Sequence, residues 1–458
     1  MIFFTIEFAC CLLVFLVLYW GVLKLFGLEA QNICLLFFNY AIIAWINPYF
    51  ALVVFVYTIV IYIFSLLIFE FDSVLAFTCC VGIVLLNLCF FKYFHAIKDS
   101  FDIFIGLFGF SGKQIDIIFP LGLSFYTFAS VTYLHSVLKG NIPQEFFFLA
   151  CYLSFFPTFI SGPIMRSQYF FSQLYSNREL KYISLIITLI LLGITKKIFI
   201  ANYLQIYSEP ILQNPSTYSS VSLLLGIYAY SVQLYCDFSG YVNLVSAFAL
   251  MIGFRLPSNF NMPYMARNIK DFWARWHISL STFIRDYIYI PLGGNRKGFF
   301  LAQVFVLISF GLSGIWHGNT WNFLIWGLLH GLAIIFVNIL RFYDIKIKLP
   351  YISSIITFHF VTFAWVFFVF TDISDSFLYI QSLVNNTSMQ VSNFEWECLI
   401  ACMFCFLIYP YMKHTIKLSC LVLDSIPLLL QPLLVAFLVC VIIGLSANGI
   451  PNFIYAGF

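Results

Sequence analysis

Long, unbroken apolar runs are the feature that most constrains the fold of this chain. A helix of about 20 apolar residues crosses the ~30 Å hydrocarbon core of a lipid bilayer. Runs of this length begin at the amino end with Phe3–Leu25, Tyr49–Phe69 and Val74–Tyr93. The first run lacks the basic segment and small-residue cleavage site of a removable signal peptide, so we expect a retained first helix. The pattern predicts an integral membrane protein.

The same pattern continues to the carboxyl end of the sequence. The further runs are Ile183–Asn202, Val221–Cys236, Leu244–Phe254, Leu301–Trp316, Trp321–Leu340, Ile352–Phe370, Cys398–Tyr411 and Leu428–Leu445. Shorter or broken runs, which are expected to cross the membrane, re-enter it or lie at its interface, are Ile33–Ile46, Ile115–Leu138 and Phe146–Ile160. Together they predict an all-α membrane protein with about 11 to 14 helical elements.

The composition supports the membrane prediction. Hydrophobic residues make up 62% of the 458 residues and charged residues only 9%, whereas soluble domains carry roughly 25% charged residues. The longest polar stretch, Thr371–Glu397, is expected to be a loop-sized insertion. Because no polar segment is large enough for a soluble domain, residues 1–458 are expected to form one membrane domain.

Basic residues are concentrated in one segment. Residues 255–297 hold seven of the 22 Lys and Arg residues, namely Arg255, Arg267, Lys270, Arg275, Arg285, Arg296 and Lys297. Loops rich in Lys and Arg face the cytoplasm in multi-pass proteins, so we expect this segment on the cytoplasmic side. Further basic anchors are expected at Lys92, Lys98, Arg178, Lys181, Lys196 and Lys197.

Inside this basic segment an amphipathic helical pattern runs over residues 269–287. Asn268 is the predicted N-cap, and Asp271 lies in the first turn, where the helix dipole favours an acid. Two interpretations of the helix stay open: it lies along the membrane interface, or it forms the cytosolic wall of a funnel. The glycine-rich loop that follows carries Arg296 and Lys297, which could meet phosphate groups.

A second informative stretch places a histidine between two apolar runs. His317 lies at their junction, flanked by Gly314 and Gly318. An ionisable side chain at membrane depth is costly and marks a functional site, and histidine exchanges a proton near neutral pH. Catalysis is one interpretation of His317, and a hydrogen bond between helices is the other. For His330, which follows Trp326 by one turn, we prefer the structural interpretation.

Thirteen cysteines raise the question of disulfides or a metal site. Nearly all of them lie within apolar runs, where cysteine behaves as a small hydrophobic residue. Cys398, Cys402 and Cys405 share one helical face but lack the ligand set of a zinc site. We therefore expect no metal.

Several motifs together resemble one protein family. They are DFSGY (237–241), PSNFN (257–261), FWARWHISLS (272–281), RDYIYIPLGGNR (285–296) and WHG (316–318). They resemble the bacterial polysaccharide branch of the membrane-bound O-acyltransferase (MBOAT) family, which includes membrane subunits of alginate and peptidoglycan O-acetylation and the D-alanyl transfer protein of teichoic acids. The resemblance extends to FPLGLSFYTF (119–128), FPTFISGP (156–163) and FIYAGF (453–458). It thus covers most of the chain, with its core at 237–331.

The resemblance implies a ring of helices around a central funnel, with two catalytic histidines. His317 matches the hallmark histidine of the family, and His277 matches the histidine of the FWARWHISLS motif. Residues expected to line the funnel are Trp316, Asn319, Ser281 and Asp237. Residues expected to bind the donor are Arg275, Arg285, Arg296 and Lys297. Tyr455, in the terminal motif, is expected either to relay the acyl group or to anchor the chain at the membrane interface.

The resemblance also implies an activity. Family members take an acyl group from a cytosolic thioester, here expected to be acetyl-CoA, and pass it across the membrane. The abundance of Phe, Ile and Tyr indicates an AT-rich coding sequence, which is not typical of alginate producers. We therefore favour peptidoglycan as the acceptor. Alginate acetylation, and D-alanyl transfer to teichoic acid from a carrier protein, stay open. The implied partner is an extracytoplasmic SGNH-type transferase, and the implied location is the bacterial inner membrane.

Functions of another class are less consistent with the sequence. A transporter of cell-wall precursors is expected to show a repeated hydrophobic pattern with paired broken helices, and we find no such repeat in the sequence. A structural scaffold would not require an intramembrane histidine framed by glycines. We expect no bound cofactor and no nucleic acid partner.

Overall fold

The computed structural model describes residues 5–106, 119–345, 349–427 and 429–446. Every regular element in these ranges is a helix. The prediction of an all-α membrane protein is therefore confirmed, whereas the ring around a funnel stays a prediction. Tyr455 and the rest of the terminal motif lie outside the described residues.

The chain packs as two compact units. The first comprises residues 1–181 and 248–256, and the second comprises residues 182–247 and 257–458. All the candidate site residues whose positions are described belong to the second unit. The single membrane domain over residues 1–458 stays a prediction.

The first unit begins with α1 (Ile6–Val17), which continues through a π-helical turn (Leu18–Val22) and a 3₁₀ turn (Leu23–Phe26). The helices that follow are α2 (Leu28–Ile46), α3 (Pro48–Phe71), α4 (Val74–Gly106), α5 (Leu123–Leu138), α6 (Phe146–Leu153), α7 (Phe156–Phe159) and α8 (Ser167–Leu174). Arg178, expected as a basic anchor, is instead buried. Its guanidinium lies 5.0 Å from the ring centroid of Phe254 and donates to the side-chain oxygen of Asn32, because a buried cation needs polar or aromatic partners.

The second unit contains the remaining helices. They are α9 (Ile183–Ile194), α10 (Ala201–Gln213), α11 (Ser220–Met251, whose last turn belongs to the first unit), α12 (Ile269–Trp273), α13 (Ile278–Ile284), α14 (Ile290–Leu292), α15 (Phe299–His317), α16 (Trp321–Phe342), α17 (Pro350–Val369), α18 (Ile373–Asn385), α19 (Asn393–Ile408), α20 (Thr415–Ser425) and α21 (Gln431–Leu445). π-Helical turns occupy Thr195–Ile200 and Arg285–Tyr289. 3₁₀ turns occupy Pro215–Thr217, Pro263–Met265, Gly294–Lys297, Asn386–Ser388 and Tyr409–His414.

Ten helical stretches among the described residues are long and apolar enough to cross a membrane. They are Ile6–Phe26, Leu28–Ile46, Pro48–Phe71, Val74–Phe94, Ile183–Gln213, Ser220–Met251, Phe299–His317, Trp321–Phe342, Pro350–Val369 and Asn393–Ser425. A shorter apolar helix, α21, follows near the carboxyl end. The chain is therefore a multi-pass membrane protein, as the apolar runs predict.

One long helix, α11, replaces two of the predicted runs. The sequence suggested a break between Val221–Cys236 and Leu244–Phe254, around Asp237. The helix continues because the carboxylate of Asp237 forms an ion pair with Lys197, which is 0% exposed. A charge that is paired within the protein can remain in an apolar helix. The expectation that Lys197 is a basic anchor at the membrane surface is wrong for the same reason.

The predicted amphipathic helix over residues 269–287 is interrupted. It forms as α12 and α13, separated at residues 274–277, because the left-handed backbone of His277, the N-cap of α13, keeps the two from continuing as one helix. The predicted N-cap is confirmed, since the side chain of Asn268 accepts a hydrogen bond from the backbone N–H of Asp271 at 3.0 Å. The break turns the chain so that His277 starts a new helix.

The polar stretch Thr371–Glu397, expected to be a loop, contains a helix. Asp372 caps α18 by accepting a hydrogen bond from the backbone N–H of Ser374 at 2.9 Å. Tyr379 anchors the helix, because its buried hydroxyl donates to the backbone carbonyl of Leu223 in α11. Polar composition alone therefore misidentified a capped, amphipathic helix.

Glycines bring α15 and α16 into backbone contact. A Cβ atom on Gly314 would lie 2.2 Å from the carbonyl oxygen of Phe323, and one on Gly327 would lie 2.3 Å from that of Phe310. Only glycine allows so close an approach, and small residues are the usual basis of tight helix pairing in membranes. This contact fixes the carboxyl end of α15, and with it His317, against α16.

The Lys197–Asp237 ion pair predicts a specific pattern of stability. Lys197→Met removes the cation that compensates the buried carboxylate, so we expect the free energy of unfolding to fall by about 3 to 5 kcal/mol. Combining Lys197→Met with Asp237→Leu removes both charges and is expected to restore most of the loss. Thermal unfolding in detergent of the unmodified protein, Lys197→Met and the double variant measures these changes in stability. A double variant that is no more stable than Lys197→Met contradicts this account.

Candidate active site

His317 closes α15 and lies inside an aromatic cage. The residue is only 3% exposed. Trp326 of α16 meets the imidazole edge to face with ring centroids 5.0 Å apart, and Phe368 of α17 does so at 5.1 Å. Phe323 lies nearly parallel to the imidazole at 6.3 Å. Three helices therefore hold the ring of this predicted catalytic residue in one orientation.

One face of α16 carries a buried polar stripe. Asn322, Trp326 and His330 follow one another at four-residue spacing, so they share a helix face, and all are buried. Trp273 of α12 donates from Nε1 to Nδ1 of His330 at 3.3 Å. In a neutral ring this places the proton of His330 on Nε2. The hydrogen bond between helices agrees with the structural interpretation of His330.

A wall of tryptophans connects the surroundings of the two predicted catalytic histidines. Trp326, which packs on His317, stacks on Trp365 of α17 with ring centroids 5.8 Å apart. Trp365 also contacts Trp276 at 5.3 Å, and Trp276 immediately precedes His277 in the chain. The fold therefore brings both histidines to one buried aromatic region.

Asn259 fixes the position of the proton on His277. The side-chain oxygen of Asn259 accepts hydrogen bonds from the backbone N–H of Ser279 at 3.1 Å and from the Ser279 hydroxyl at 2.8 Å. A backbone N–H can only donate, so the acceptor must be the amide oxygen. The same oxygen lies 3.3 Å from Nδ1 of His277, which must then donate. The neutral ring keeps its lone pair on Nε2.

The backbone at His277 is strained and firmly held. Its φ of 43° and ψ of 53° are uncommon for a residue with a side chain and cost about 1–3 kcal/mol. Two backbone hydrogen bonds hold the segment, from Ile278 to Asn259 at 3.0 Å and from Asn261 to Arg275 at 2.9 Å. Burial lowers the pKa of His277 to about 3, so the imidazole is uncharged at neutral pH.

Three of the predicted funnel-lining residues occupy different environments. Trp316 lies beside His317, with ring centroids 4.6 Å apart. Asn319 is exposed in the turn between α15 and α16. The hydroxyl of Ser281 donates to the backbone carbonyl of Trp276 at 3.1 Å. Of these three, the structure brings Trp316 into direct contact with the predicted base.

Asp237, the fourth predicted funnel-lining residue, is engaged in a buried ion pair between helices. Its carboxylate is paired with Lys197 inside the second unit. The neighbouring residue, Phe238, meets the imidazole of His277 edge to face at 4.8 Å. The DFSGY motif therefore reaches the site through an aromatic ring.

The four predicted donor-binding cations divide into two pairs. Arg275 is bound to Asp271 at 2.7 Å, and Arg285 is bound to Asp286 at 2.7 Å. The hydrogen bond from Asp286 raises the pKa of Arg285. These two arginines are therefore already engaged by carboxylates, which weakens their case as phosphate ligands.

Arg296 and Lys297 are exposed in the 3₁₀ turn before α15. Arg296 donates to the backbone carbonyl of Ile290 at 3.1 Å, which leaves part of its guanidinium available to a ligand. Because α15 begins at Phe299 and ends at His317, this turn lies about 27 Å from the predicted base. The structure does not bring these cations and His317 together.

Sequence reasoning missed three residues that build the site. Asn259, which sets the tautomer of His277, lies within the quoted PSNFN motif, so the motif was the available signal. Lys197 looked like a surface anchor, and Trp365 looked like one more residue of an apolar run. Neither had a local signal, because the partners of both lie on distant helices.

Two further expectations meet the limits of the described residues. Tyr455 lies outside them, so its role stays a prediction. Within the ranges that are described, no group of three His, Cys, Asp or Glu side chains is arranged to hold a metal ion.

A sequence profile of the membrane-bound O-acyltransferase family matches residues 130–381. The match covers more than half of the 458 residues and includes both predicted catalytic histidines. The chain belongs to the membrane-bound O-acyltransferase family. The resemblance seen in the motifs is thereby confirmed.

Proteins similar to this chain come from several bacteria. A probable alginate O-acetylase of Azotobacter vinelandii is 34% identical over 368 residues, which are 78% of this chain and 73% of that protein. A probable alginate O-acetylase of Pseudomonas putida is 37% identical over 295 residues, 63% of this chain and 60% of that protein. A peptidoglycan O-acetyltransferase of Helicobacter pylori is 32% identical over 344 residues, 67% of this chain and 64% of that protein. The chain thus spans less than two thirds of the length of the last two relatives.

The low pKa of His277 predicts how the stability of this membrane-bound O-acyltransferase depends on pH. In the unfolded chain histidine has a pKa of about 6.5, whereas burial lowers it to about 3 in the fold. Acidification below pH 6.5 therefore protonates only the unfolded state. Between pH 7 and pH 5 this linkage is expected to remove about 2 kcal/mol of stability.

The measurement is the unfolding midpoint in detergent between pH 7 and pH 5, compared with a His277→Asn variant. Asparagine tolerates the left-handed backbone but does not titrate. The variant should lose less stability over this range than the unmodified protein. Parallel pH profiles of the two proteins contradict the assignment of a neutral, buried His277.

Proposed function

We propose that this chain is a membrane O-acetyltransferase that takes an acetyl group from acetyl-CoA and passes it across the membrane, toward hydroxyl groups of peptidoglycan. The observation that carries the proposal is the buried imidazole of His317, caged by Trp326 and Phe368 at the end of a membrane-length helix. Such a group is costly and rarely kept in a membrane helix without a function. Family membership supplies the reaction class, O-acyl transfer.

The reaction needs a base for the acceptor hydroxyl. The neutral imidazole of His317 takes the hydroxyl proton while the hydroxyl oxygen attacks the carbonyl carbon of the thioester. A C–O bond forms, the C–S bond breaks, and the imidazolium returns the proton to the departing thiolate. CoA leaves as a thiol and the acetyl group remains as an ester. General base catalysis of this kind contributes about 10²–10⁴-fold to the rate.

His277 supports this step by orienting the acceptor. Its Nδ1 proton is directed at Asn259, so Nε2 is the atom that can accept a hydrogen bond. With a pKa of about 3, His277 is too weak a base to hold a proton at neutral pH. It can therefore orient a hydroxyl group without competing with His317 for the proton.

We assign the donor phosphates to the turn before α15. Arg296 and Lys297 are exposed there, unlike Arg275 and Arg285, which are ion-paired. Exposed Arg and Lys side chains bind phosphate through charge-assisted hydrogen bonds. Because loops rich in Lys and Arg face the cytoplasm, the donor would bind on the cytoplasmic side.

The acetyl group would leave on the other side, where cell-wall polymers lie. We infer a bacterial inner-membrane location and an extracytoplasmic SGNH-type transferase as the partner. Peptidoglycan is the preferred acceptor, in keeping with the Helicobacter pylori relative. Relatives named for alginate keep alginate O-acetylation open. D-alanyl transfer to teichoic acid would require a carrier protein as donor.

Replacing the base tests the mechanism directly. His317→Ala is expected to reduce cleavage of labelled acetyl-CoA by about 10²–10⁴-fold, because no other described side chain of the cage can accept the proton. The assay uses purified full-length protein in detergent, with and without the candidate partner. The matched control is His414→Ala, which removes an exposed histidine and should retain full activity.

Two outcomes would count against this proposal. Undiminished thioester cleavage by folded His317→Ala would falsify the assignment of the base. Label transferred from a D-alanyl carrier protein, and none from acetyl-CoA, would exclude acetyl transfer and favour the teichoic acid reaction. Gel filtration of each variant establishes that it is folded.

The donor assignment predicts an effect on binding rather than on chemistry. Arg296→Ala combined with Lys297→Ala is expected to raise KM for acetyl-CoA by roughly tenfold or more, with kcat nearly unchanged, because each lost charge-assisted hydrogen bond is worth about 1.5–3 kcal/mol. The increase should shrink at high ionic strength. Lys139→Ala, which removes an exposed charge elsewhere, is the control. A fall in kcat with KM unchanged contradicts the assignment.

A further inference from the structure

A cavity of the second unit lies at the ends of two membrane-length stretches. Its volume is about 440 Å³, within the range of roughly 300–1,000 Å³ that is typical of small-molecule sites. Gln213, which ends the stretch Ile183–Gln213, and Val369, which ends the stretch Pro350–Val369, both line the cavity. Helices of this length end near the boundary between the hydrocarbon core and the lipid headgroups. The cavity is therefore expected at the level of the headgroups.

Part of the cavity wall is apolar. Leu212 of α10, Val369 and Phe370 at the end of α17, and Leu378 of α18 contribute aliphatic and aromatic side chains. Apolar surface of this kind is stabilised when a hydrocarbon group of a ligand covers it and excludes water. A well-matched ligand therefore has a hydrocarbon part.

The inner wall of the cavity offers hydrogen-bond donors. Gln233 and Tyr230 of α11 line the cavity and are only 7% and 6% exposed. The hydroxyl of Ser208 in α10 donates to the side-chain oxygen of Gln233 at 3.1 Å, so the amide nitrogen of Gln233 remains to donate. Neither this nitrogen nor the hydroxyl of Tyr230 has a hydrogen-bond partner among the described residues. Both groups can therefore donate to oxygen atoms of a ligand.

The rim of the cavity carries two carboxylates. Glu209 of α10 and Asp375 in the first turn of α18 both line the cavity and are exposed. Gln205 and Gln213 donate their amide nitrogens to Glu209 at 3.4 and 3.1 Å, and these neutral groups leave its charge in place. The residues described as lining the cavity include no Lys or Arg. The rim therefore attracts a cation and repels an anion.

We propose that this cavity binds a phospholipid whose headgroup carries a primary ammonium, such as phosphatidylethanolamine. The ammonium donates to the carboxylates of Glu209 and Asp375 through charge-assisted hydrogen bonds. Phosphate or ester oxygens of the lipid accept from Gln233 and Tyr230, and an acyl chain covers the apolar wall. Because one carboxylate belongs to α10 and the other to α18, the bound ammonium connects these two helices.

A lipid matches the cavity better than a basic segment of a partner protein does. The cavity combines acidic, hydrogen-bond-donating and apolar surfaces, and an aminophospholipid has an ammonium, oxygen acceptors and a hydrocarbon chain in one molecule. A lysine side chain supplies the ammonium alone. Lipid also surrounds the ends of membrane helices at high concentration. Binding of the lipid is independent of the acyl-transfer reaction.

Native mass spectrometry measures lipid binding directly. The full-length protein in non-ionic detergent is titrated at low ionic strength with phosphatidylethanolamine, phosphatidylcholine and phosphatidylglycerol that have identical acyl chains. Phosphatidylcholine keeps the positive charge but cannot donate a hydrogen bond from its methylated nitrogen, and phosphatidylglycerol has no cation. We expect the first phosphatidylethanolamine molecule to bind with a Kd roughly tenfold or more below that of either other lipid.

Two variants separate recognition of the ammonium from recognition of the lipid oxygens. Glu209→Gln combined with Asp375→Asn keeps the size of both side chains and should reduce the preference for phosphatidylethanolamine to about threefold or less. Gln233→Leu should weaken all three lipids alike, by about tenfold, because they share the oxygens that accept from the amide. The matched control is Glu397→Gln, which neutralises an exposed carboxylate outside the cavity lining and should leave every affinity unchanged.

Several results would overturn the proposal. Equal affinity for the three lipids would show that the first lipid binds without recognition of its headgroup. A preference for phosphatidylethanolamine that persists in the Glu209 and Asp375 double variant, or an affinity that Gln233→Leu leaves unchanged, would place the bound lipid elsewhere on the protein. A tri-lysine peptide that displaces the lipid at lower concentration than free phosphatidylethanolamine does would identify a basic protein segment as the ligand. An unchanged elution volume in gel filtration establishes that each variant is folded.

Discussion

Hydrocarbon offers no hydrogen-bond partner, so a polar group within a membrane helix must find one inside the protein. Two contacts of the second unit meet this constraint. Lys197 and Asp237 neutralise each other, and His330 accepts from the indole of Trp273. Each contact joins helices that are distant in the chain. The same contacts that satisfy these groups therefore also determine where α11, α12 and α16 lie, and with them the tryptophan wall beside His317.

Close packing gives the site its second property, a fixed geometry. Gly314 allows the backbone of α15 to touch that of α16, and the aromatic cage then restricts the ring of His317. The geometry of His277 is fixed by hydrogen bonding, because the backbone bond from Ile278 to Asn259 holds its strained, left-handed backbone in place. The two histidines are held by different means, which is consistent with two roles: one moves a proton and the other orients a group.

The two ends of α15 separate the proposed donor site from the proposed base. Exposed cations, Arg296 and Lys297, lie before the start of α15, where they suit the phosphates of a thioester donor. His317 lies at the other end of the same helix, inside the aromatic cage.

The sequence by itself determined that the chain is an all-α membrane protein and which family it belongs to, and it singled out the two histidines as candidates. Apolar runs and motifs are local signals, and each depends on residues that are neighbours in the chain. Only the tertiary structure decided that α11 continues through Asp237, that Lys197 is buried, and that Asn259 sets the proton on His277. Lys197 and Asp237 are 40 residues apart in the chain, and Trp273 and His330 are 57 residues apart. Such partners meet only after the helices pack, so local patterns could not reveal them.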